Sequence, residues 1–262
     1  GGAAPPARGG AGGAGGGGGG DGVGVAARAD RVVEGENTVA SAKSVGLGVV
    51  ELATIFDHLK PHAVVTVADR YETLATAAAA SCMNMSVAHV QGGEVTGSID
   101  EKVRHAVTKL SNLHFVSTVK ASQRVVQMGE DPATEHITGC PSIDLAAAIA
   151  AEPRGTFDPF EKYGGVGRDI DVSRPYLVVM QHSVTTEYDE AQRQVEQTLG
   201  AVHDLGIPAF WFWPNVGAGS DGTSKGIRVF RERQPDSLIH FFRRMPPADF
   251  LRLVVRMAFW GG

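Results

Sequence analysis

The stretch AVVTVADRYETLATAAAASCMNMSVAHV, residues 63–90, determines the fold class of this chain. Its β-branched run at 63–68 predicts a strand, its alanine-rich centre predicts a helix over 71–83, and SVAHV at 86–90 predicts a second strand. Short strands joined by helices of about 10–15 residues are typical of right-handed βαβ crossovers. The stretch therefore predicts an α/β fold with a parallel sheet that helices cover on both faces.

The same alternation extends in both directions from this stretch. Upstream, apolar residues recur with helical spacing over 45–59, and Lys60-Pro61 ends that helix before the first strand. Downstream, the first half continues with predicted helices over 99–111, 119–128 and 142–151 and predicted strands over 114–118 and 136–139. Residues 152–174, rich in Gly, Pro and charge, predict a linker, after which the pattern resumes with strands over 176–180, 209–213 and 237–242 and helices over 188–205, 220–233 and 247–257. The sequence thus predicts two α/β units, at 31–151 and 175–262, and the second is incomplete because it has only three strands.

Composition restricts the classes of function. Fourteen of the 34 glycines lie in residues 1–24, and because such a segment cannot offset the entropy lost on ordering, residues 1–30 are predicted to be a disordered tail. The net charge of −5 gives no general attraction to phosphate backbones, so nucleic acid is not expected as a partner. No uninterrupted apolar run reaches ~18 residues and the tail lacks the apolar core of a signal peptide, which predicts no membrane partner and a cytoplasmic location. The two cysteines, Cys82 and Cys140, predict buried thiols in a reducing compartment, and a single disulfide stays open as the alternative.

Polar residues follow five of the predicted strands, at the edge where parallel sheets bind ligands. They are Asp69-Arg70, Gln91-Gly92-Gly93-Glu94, Cys140 to Asp144, Gln181-His182 and Pro214-Asn215. Any one of them alone is better explained as a helix cap or a turn. Five together favour a ligand site in a cleft between the two units.

The individual groups suggest an anionic or hydroxylated ligand. Asp69-Arg70 places a carboxylate beside a guanidinium at a helix start, although Asp69 could instead be an N-cap. Gly92-Gly93 lets the backbone approach a ligand, with the carboxylates of Glu94, Asp100 and Glu101 nearby; the alternative is a flexible turn with solvated acids. His105, one helical turn after Glu101, is expected to face the same loop.

His182 completes the set, because it could donate to a phosphate or act as an acid or base, and its alternative is a structural role. The sequence contains no GxxxxGK[ST], no strand-linked GxGxxG, no HExxH and no paired CxxC. It therefore predicts no metal site.

Several blocks of this sequence closely resemble the hydrolysing UDP-N-acetylglucosamine 2-epimerases of sialic acid biosynthesis. The blocks are DRYETLATAAAASCMNMSVAHVQGGEVTGSIDEKVRHAVTKLSNLHFVST (69–118), MGEDP (128–132), ITGCPSID (137–144), QHSVTTEYDEA (181–191) and WPNVGAGSDGTSKGIRVFRE (213–232). The resemblance runs from about Glu36 to about Leu253. It implies two Rossmann-like domains of the glycosyltransferase-B type, with a nucleotide sugar in the cleft.

The resemblance also implies a reaction and a set of residues. In that family UDP is eliminated across C1–C2 of UDP-N-acetylglucosamine, water adds to the glycal, and the products are UDP and N-acetylmannosamine, without a metal or other cofactor. The family positions make Asp69, Asp100 and Asp144 functional carboxylates, and they make His182 a UDP contact and a candidate acid or base. Arg70, Asn215 and Ser220 would bind substrate. Gln91, also placed against the substrate, stands where many members have Glu, and an amide cannot act as a base. Two alternatives stay open: Glu94 substitutes for that Glu, or the subgroup tolerates Gln.

The resemblance predicts differences at both ends of the chain. The first strand with its glycine/arginine loop is expected to be replaced by the Gly-rich tail, and the Gly-Asn-Ser-Ser loop with the closing helices is expected to be missing. Two alternatives follow: an inactive fragment that at most binds a ligand or a partner, and an epimerase for a related UDP-di-N-acetylated 6-deoxy sugar. An apolar face left uncovered by missing strands would favour a homo-oligomer.

Overall fold

The computed structural model describes residues 25–29, 38–97, 99–152, 157–214 and 219–256, and these form an α/β protein with two four-stranded sheets. Residues 1–24 and 30 of the predicted tail lie outside the described residues, so disorder there stays a prediction. The α/β prediction is confirmed, because helices alternate with strands through both halves of the described chain.

The first sheet has the order β1-β2-β3-β4 and is parallel throughout. Its elements are α1 Thr38–Leu59, β1 Ala63–Val67, α2 Tyr71–Cys82, β2 Ser86–Val90, α3 Ile99–Lys109, β3 Leu113–Val116, α4 Val119–Gln127, β4 Glu135–Ile137 and α5 Pro141–Ala151. In register, Val67 pairs with Val90, and Val90 pairs with Phe115. The carboxyl ends of β1, β2 and β3 therefore lie side by side.

Among the described residues, the core helices of the first half pack on one face of this first sheet. Val64 of β1 and Val87 of β2 pack in one core cluster with Ala80 of α2 and Val107 of α3. On the opposite face of β1, Val65 is 64% exposed and Val67 is 53% exposed. The prediction of coverage on both faces is wrong for this sheet: strands in sequential order, joined by crossovers of one hand, put all their crossover helices on the same side.

The helix α1 is an exception to the expectation that no segment is long and apolar enough to span a membrane. Among the described residues it is the one helix that meets the length and composition of a span, with a mean hydropathy of 1.5 over its best 18-residue window. Small residues make it apolar without a continuous run of large apolar side chains. Its buried residues Ala40, Ser44, Gly48 and Phe56 recur at intervals of four or eight, which is the pattern of a helix packed along one side. In the structure that side packs against α2.

The second sheet has the order β5-β8-β7-β6. Its elements are α6 Pro159–Tyr163, β5 Val166–Gly167, β6 Leu177–Met180, α7 Ala191–Asp204, β7 Ala209–Phe212, α8 Ser220–Arg233, β8 Ile239–Phe242 and α9 Pro247–Arg256. Strands β6, β7 and β8 are parallel, while β5 pairs antiparallel with β8. The segment predicted to be a linker thus contains α6 and a fourth strand, which were missed because elements of five and two residues are too short to show a periodic pattern.

Both faces of the second sheet are covered, as predicted. On one face Val195 and Leu199 of α7 pack with Trp211 of β7. On the other face Phe210 and Leu253 share a cluster, and helices α6 and α9 contribute to it.

The helix α9 also reaches back to the first half of the chain. It packs against α5, and the guanidinium of Arg252 donates to both carboxylate oxygens of Glu152, at 2.8 and 2.7 Å. Arg252 and Lys162 both pair with the buried Asp249, each at 2.5 Å. The predicted domain limits at 31–151, 152–174 and 175–262 stay predictions.

Both cysteines are free thiols, so the single disulfide that the sequence left open is not formed. The prediction that they are buried is wrong: Cys82 is exposed and Cys140 is partly exposed. Cys82 is the last residue of α2, and Cys140 precedes the first turn of α5, where neither faces a core cluster.

Candidate active site

The candidate site is built on the turns that follow β1 and β2. Ala68 and Gln91, directly after these strands, have φ values of 63° and 65°. Left-handed backbone is unfavourable for residues with a Cβ and is typical of places where the surrounding structure imposes it. The two turns lie at the same edge of the sheet. We define the first-sheet edge as these turns, residues 68–70 and 91–97, together with the start of α5, residues 140–144.

An ion pair with Arg104 of α3 fixes Asp69 at this edge. The Arg104 side chain is only 7% exposed, its Nη2 contacts Asp69 Oδ2, and its Nη1 donates to the Glu94 carbonyl oxygen at 2.7 Å. Burial lowers the pKa of Arg104 without a change of charge at neutral pH, since the ordinary value is far above 7. One buried guanidinium thus joins the β1 turn to the β2 turn and keeps the Asp69 carboxylate oriented.

This pairing decides between the two interpretations of Asp69. The N-cap residue of α2 is Arg70, and it makes no side-chain capping hydrogen bond, so Asp69 is not a helix cap. Arg70 itself is half exposed and donates to both oxygens of Glu72, at 3.1 and 2.9 Å. Asp69 and Arg70 thus have different partners, because the first turn of α2 offers Arg70 a carboxylate of its own, and their joint role in holding a ligand stays a prediction.

Side chains of α3 and α4 hydrogen-bond to backbone groups in the described part of the loop between β2 and α3. Glu101 Oε2 accepts from the backbone N–H groups of Thr96 and Gly97, at 2.9 and 2.7 Å, and these bonds lower the pKa of Glu101. Arg124 Nη1 donates to the Gly93 carbonyl at 3.1 Å. His105 Nε2 lies 3.9 Å from Glu101 Oε1, as the helical spacing predicts. The backbone of Gly93, Thr96 and Gly97 is therefore anchored at the edge.

Gln91 connects β2 to the start of α5. Its Nε2 donates to Cys140 Sγ at 3.3 Å, and the backbone N–H groups of Ile143 and Ser142 lower the pKa of that thiol. Asp144, exposed in the first turn of α5, donates its backbone N–H to the Cys140 carbonyl at 3.2 Å. In this arrangement the Gln91 amide is a hydrogen-bond donor, which agrees with its inability to act as a base.

The structure links some candidates of the first half directly and places the others only on neighbouring elements. Asp69, Gln91 and Glu94 are joined through Arg104 and the β2 turn, while Asp100 lies in the first turn of α3 and Asp144 in that of α5. Sequence reasoning missed Arg104, although its position four residues after Asp100 would have placed both on one side of a helix.

The candidates of the second half lie at the ends of β6 and β7. His182 is exposed and follows β6, next to Gln181, whose Oε1 is buried without a hydrogen-bond partner in the described part of the chain. Ser220 is buried as the first residue of α8, a helix that packs against the 3-10 turn Thr185–Glu190. Asn215 lies outside the described residues. The N-terminus of α8 and His182 are groups of the kind that bind phosphates.

Within the described ranges, no group of three or more His, Cys, Asp or Glu side chains is arranged to hold a metal ion. The groups gathered at the first-sheet edge are instead carboxylates, a guanidinium and an amide. Such a set can hold a hydroxylated ligand and transfer protons.

Comparison with known proteins agrees with this geometry. Residues 21–259 match the family model of UDP-N-acetylglucosamine 2-epimerase. The chain is 32% identical over 210 residues to a hydrolysing UDP-N,N'-diacetylbacillosamine 2-epimerase of Legionella pneumophila, covering 80% of this chain and 54% of that protein. It is 30% identical over 190 residues to a UDP-N-acetylglucosamine 2-epimerase of Neisseria meningitidis, covering 72% of this chain and 48% of that protein. The chain thus spans about half the length of the curated relatives it matches.

The fold is similar to that of a solved UDP-GlcNAc 2-epimerase. The crystal structure of the Neisseria meningitidis UDP-GlcNAc 2-epimerase bound to UDP-GlcNAc superposes with a TM-score of 0.67 and 15% identity, covering 83% of this chain and 58% of that one. This confirms the prediction of Rossmann-like α/β units of the glycosyltransferase-B type. Together with the family match along almost the whole chain, these findings show that the protein belongs to the UDP-N-acetylglucosamine 2-epimerase family.

Proposed function

We propose that this chain carries the chemistry of a hydrolysing UDP-N-acetylglucosamine 2-epimerase, which converts UDP-N-acetylglucosamine and water to UDP and N-acetylmannosamine. The observation that carries the proposal is the Asp69 carboxylate, paired with the buried Arg104 and set beside the loop of Gln91 and Glu94, in a chain of this family. The hydrolysing activity in the name of the Legionella relative supports the use of water.

The reaction divides into two balanced steps. In the first, a carboxylate takes the C2 proton, a C1=C2 double bond forms, and the C1–O bond breaks so that UDP leaves with the electron pair. In the second, water adds to C1 of the glycal as a hydroxyl group and gives one proton to a base, while an acid delivers a proton to C2 on the face that inverts its configuration. Each step needs a positioned acid or base, and UDP departure needs positive groups or dipoles at its phosphates.

The first-sheet edge can supply the acid–base groups. Asp69, held by Arg104, and Asp100, in the first turn of α3, are our candidate catalytic carboxylates, with Glu94 as the group that replaces the missing carboxylate at Gln91. A fixed carboxylate reduces the reorganisation that a proton transfer requires. Asp144 is a further candidate, at the start of α5.

The second half of the chain is assigned to the nucleotide. His182 and the N-terminus of α8, which begins with Ser220, would stabilise the leaving diphosphate, while Arg70 and Asn215 would contact the nucleotide. The proposed reaction uses only UDP-N-acetylglucosamine and water, without a cofactor. A cytoplasmic location, a homo-oligomeric state, and the lack of membrane or nucleic-acid partners stay predictions.

A substitution at Asp100 tests the proposal. Asp100→Asn is expected to abolish the release of UDP and N-acetylmannosamine, followed by proton NMR, while the protein stays folded by circular dichroism. Asp204→Asn, at the exposed C-terminal end of α7, is the matched control and should keep full turnover. Unchanged turnover in Asp100→Asn would remove Asp100 from the mechanism, and its loss in both variants would point to a general defect.

A second candidate substrate is a UDP-di-N-acetylated 6-deoxy sugar, which the name of the Legionella relative favours. A competition assay with both UDP-sugars separates the two, because the preferred substrate is consumed first. The remaining alternative, an inactive fragment that binds a ligand only weakly or acts only as an interaction partner, predicts no thermal shift with millimolar UDP. A shift of several degrees would contradict that alternative.

A further inference from the structure

His89 of β2 lies beneath the candidate site and touches both elements that hold its ion pair. It is fully buried, its Nε2 lies 2.9 Å from the Ala68 carbonyl oxygen, and its Nδ1 lies 3.1 Å from Thr108 Oγ1. Ala68 immediately precedes Asp69, and Thr108 follows Arg104 by one turn of α3. One imidazole therefore bridges the same two segments that the ion pair of Asp69 with Arg104 bridges.

These contacts define the proton positions on His89. A carbonyl oxygen can only accept, so Nε2 carries a hydrogen and donates it to Ala68. Burial lowers the pKa of His89 to about 4, which keeps the ring neutral at physiological pH. Nδ1 then carries the lone pair and lies 3.1 Å from the Thr108 hydroxyl, whose single hydrogen is shared between this nitrogen and the Arg104 carbonyl oxygen at 3.0 Å.

The bond to Ala68 matters because Ala68 has a φ of 63°. A left-handed alanine costs free energy unless its surroundings hold it. The Ala68 N–H donates to the Val90 carbonyl at 2.9 Å, and its carbonyl accepts from His89, so both polar groups of the strained residue are bound to β2. The direction of this turn sets where Asp69 points.

The backbone at Gly92 packs closely against the contact between His89 and Thr108. A Cβ at Gly92 would lie 3.0 Å from both His89 Nδ1 and Thr108 Oγ1. The β2 turn therefore lies directly on the hydrogen bond between these two side chains, and a larger residue would push them apart.

We propose that His89 is a positioning residue for the reaction, which holds the Ala68 turn through Nε2–H and thereby fixes Asp69 against Arg104. The claim that His89 supports catalysis rests on the proposed function. The claim that His89 fixes the position of Asp69 can be tested whether or not the chain shows turnover. The simplest alternative is that His89 is only a buried core residue.

The neighbouring strand offers a matched control for that alternative. His114 of β3 pairs in register with His89 and is equally buried, but its Nε2 lies 3.2 Å from Glu130 Oε2, away from the Asp69 turn. A purely structural histidine at either position should affect stability alone. If His89 is a positioning residue, its substitution should change the position of Asp69, whereas substitution of His114 should not.

The test compares the variants His89→Gln, His89→Asn and His114→Gln in the full chain. The Gln amide nitrogen can occupy the position of Nε2 and donate to Ala68, whereas the shorter Asn reaches only the position of Nδ1. With UDP-N-acetylglucosamine as substrate, we expect His89→Gln to retain turnover within about threefold and His89→Asn to lose about 10- to 100-fold in kcat with little change in KM. His114→Gln should keep the kcat of the parent chain.

Two NMR readouts decide the matter even if the chain shows no turnover. Nitrogen-15 spectra of histidine-labelled protein should show His89 as the neutral Nε2–H form. The carboxyl carbon-13 signal of Asp69 should shift in His89→Asn but stay in place in His89→Gln and His114→Gln. An Nδ1–H form, equal effects of Gln and Asn at position 89, or an Asp69 shift in His114→Gln would overturn the inference. Lack of turnover with the expected NMR pattern would instead contradict the proposed function alone.

Discussion

The buried His89 predicts a specific loss of stability in mild acid. Its folded pKa is about 4, lowered first of all by burial, against an ordinary value of 6.5. Between these values the unfolded chain binds a proton at this position and the folded chain does not, so the free energy of unfolding falls as the pH decreases through this window. At pH 5 the penalty from this one residue is about 2 kcal/mol, and at pH 7 it is close to zero.

The comparison that isolates this effect is the parent chain against His89→Gln. Other groups near His89 also titrate or carry charge: His114, with its own pKa lowered by burial, Glu130 beside it, His105, and Arg104. Because they are present in both proteins, their contributions cancel to first order in the difference.

Urea unfolding followed by circular dichroism at pH 7 and pH 5 provides the measurement. The stability of the parent relative to His89→Gln should fall by about 2 kcal/mol on going from pH 7 to pH 5. His58→Gln, at the exposed end of α1, serves as the control for replacing a histidine outside the core. A difference between parent and His89→Gln that stays constant across this range would show that His89 is not held neutral in the folded protein.

Three further predictions concern the ion pair, the loop and the thiol. Arg104→Met should cost about 2–3 kcal/mol of unfolding free energy, because it leaves a partly buried carboxylate without its partner, whereas the half-exposed Arg70→Gln should cost less than about 1 kcal/mol in the same denaturation assay. Gly93→Ala should lower the free energy of unfolding by about 2–4 kcal/mol, because a Cβ there meets a backbone carbonyl of α4. Gly97→Ala is the control, since Gly97 also has a positive φ but lies in open space, and it should cost about 1 kcal/mol. Equal losses in the two variants would contradict the role of the carbonyl. Cys140 should be alkylated by iodoacetamide at a lower pH than an ordinary thiol, measured as rate against pH by mass spectrometry, because α5 backbone N–H groups stabilise its thiolate; a rate profile like that of a free thiol would contradict this.

Most of the regular structure was predictable from local patterns. SVAHV at 86–90 and the helix at 220–233 have in the structure the limits that periodicity predicts, because a β-branched run and a helical apolar spacing each leave a clear signal over their whole length. The strand β5 gives no such signal in the sequence, because a two-residue strand exists only through its pairing with β8. The exposed face of β1 was also missed, because it depends on strand order, which residue spacing does not reveal.

The site was predictable as a set of positions but not as a set of partners. Strand ends in a parallel sheet indicated Asp69, Gln91 and Glu94 correctly as neighbours of one edge. The partner of Asp69 is 35 residues away on α3 instead of next to it, and only the folded arrangement of α3 against the β1 turn brings Arg104 there. His89 was hidden for a similar reason, because within a buried strand a histidine that bonds a turn has the same spacing as one that fills a core.

The most direct test of the central claim is proton NMR of the purified chain with UDP-N-acetylglucosamine in D2O. If this chain performs the hydrolysing epimerase reaction, UDP and N-acetylmannosamine appear together, and the N-acetylmannosamine carries deuterium at C2, because the proton removed there is replaced from solvent. An intact substrate in the presence of a chain that is folded by circular dichroism would contradict the claim.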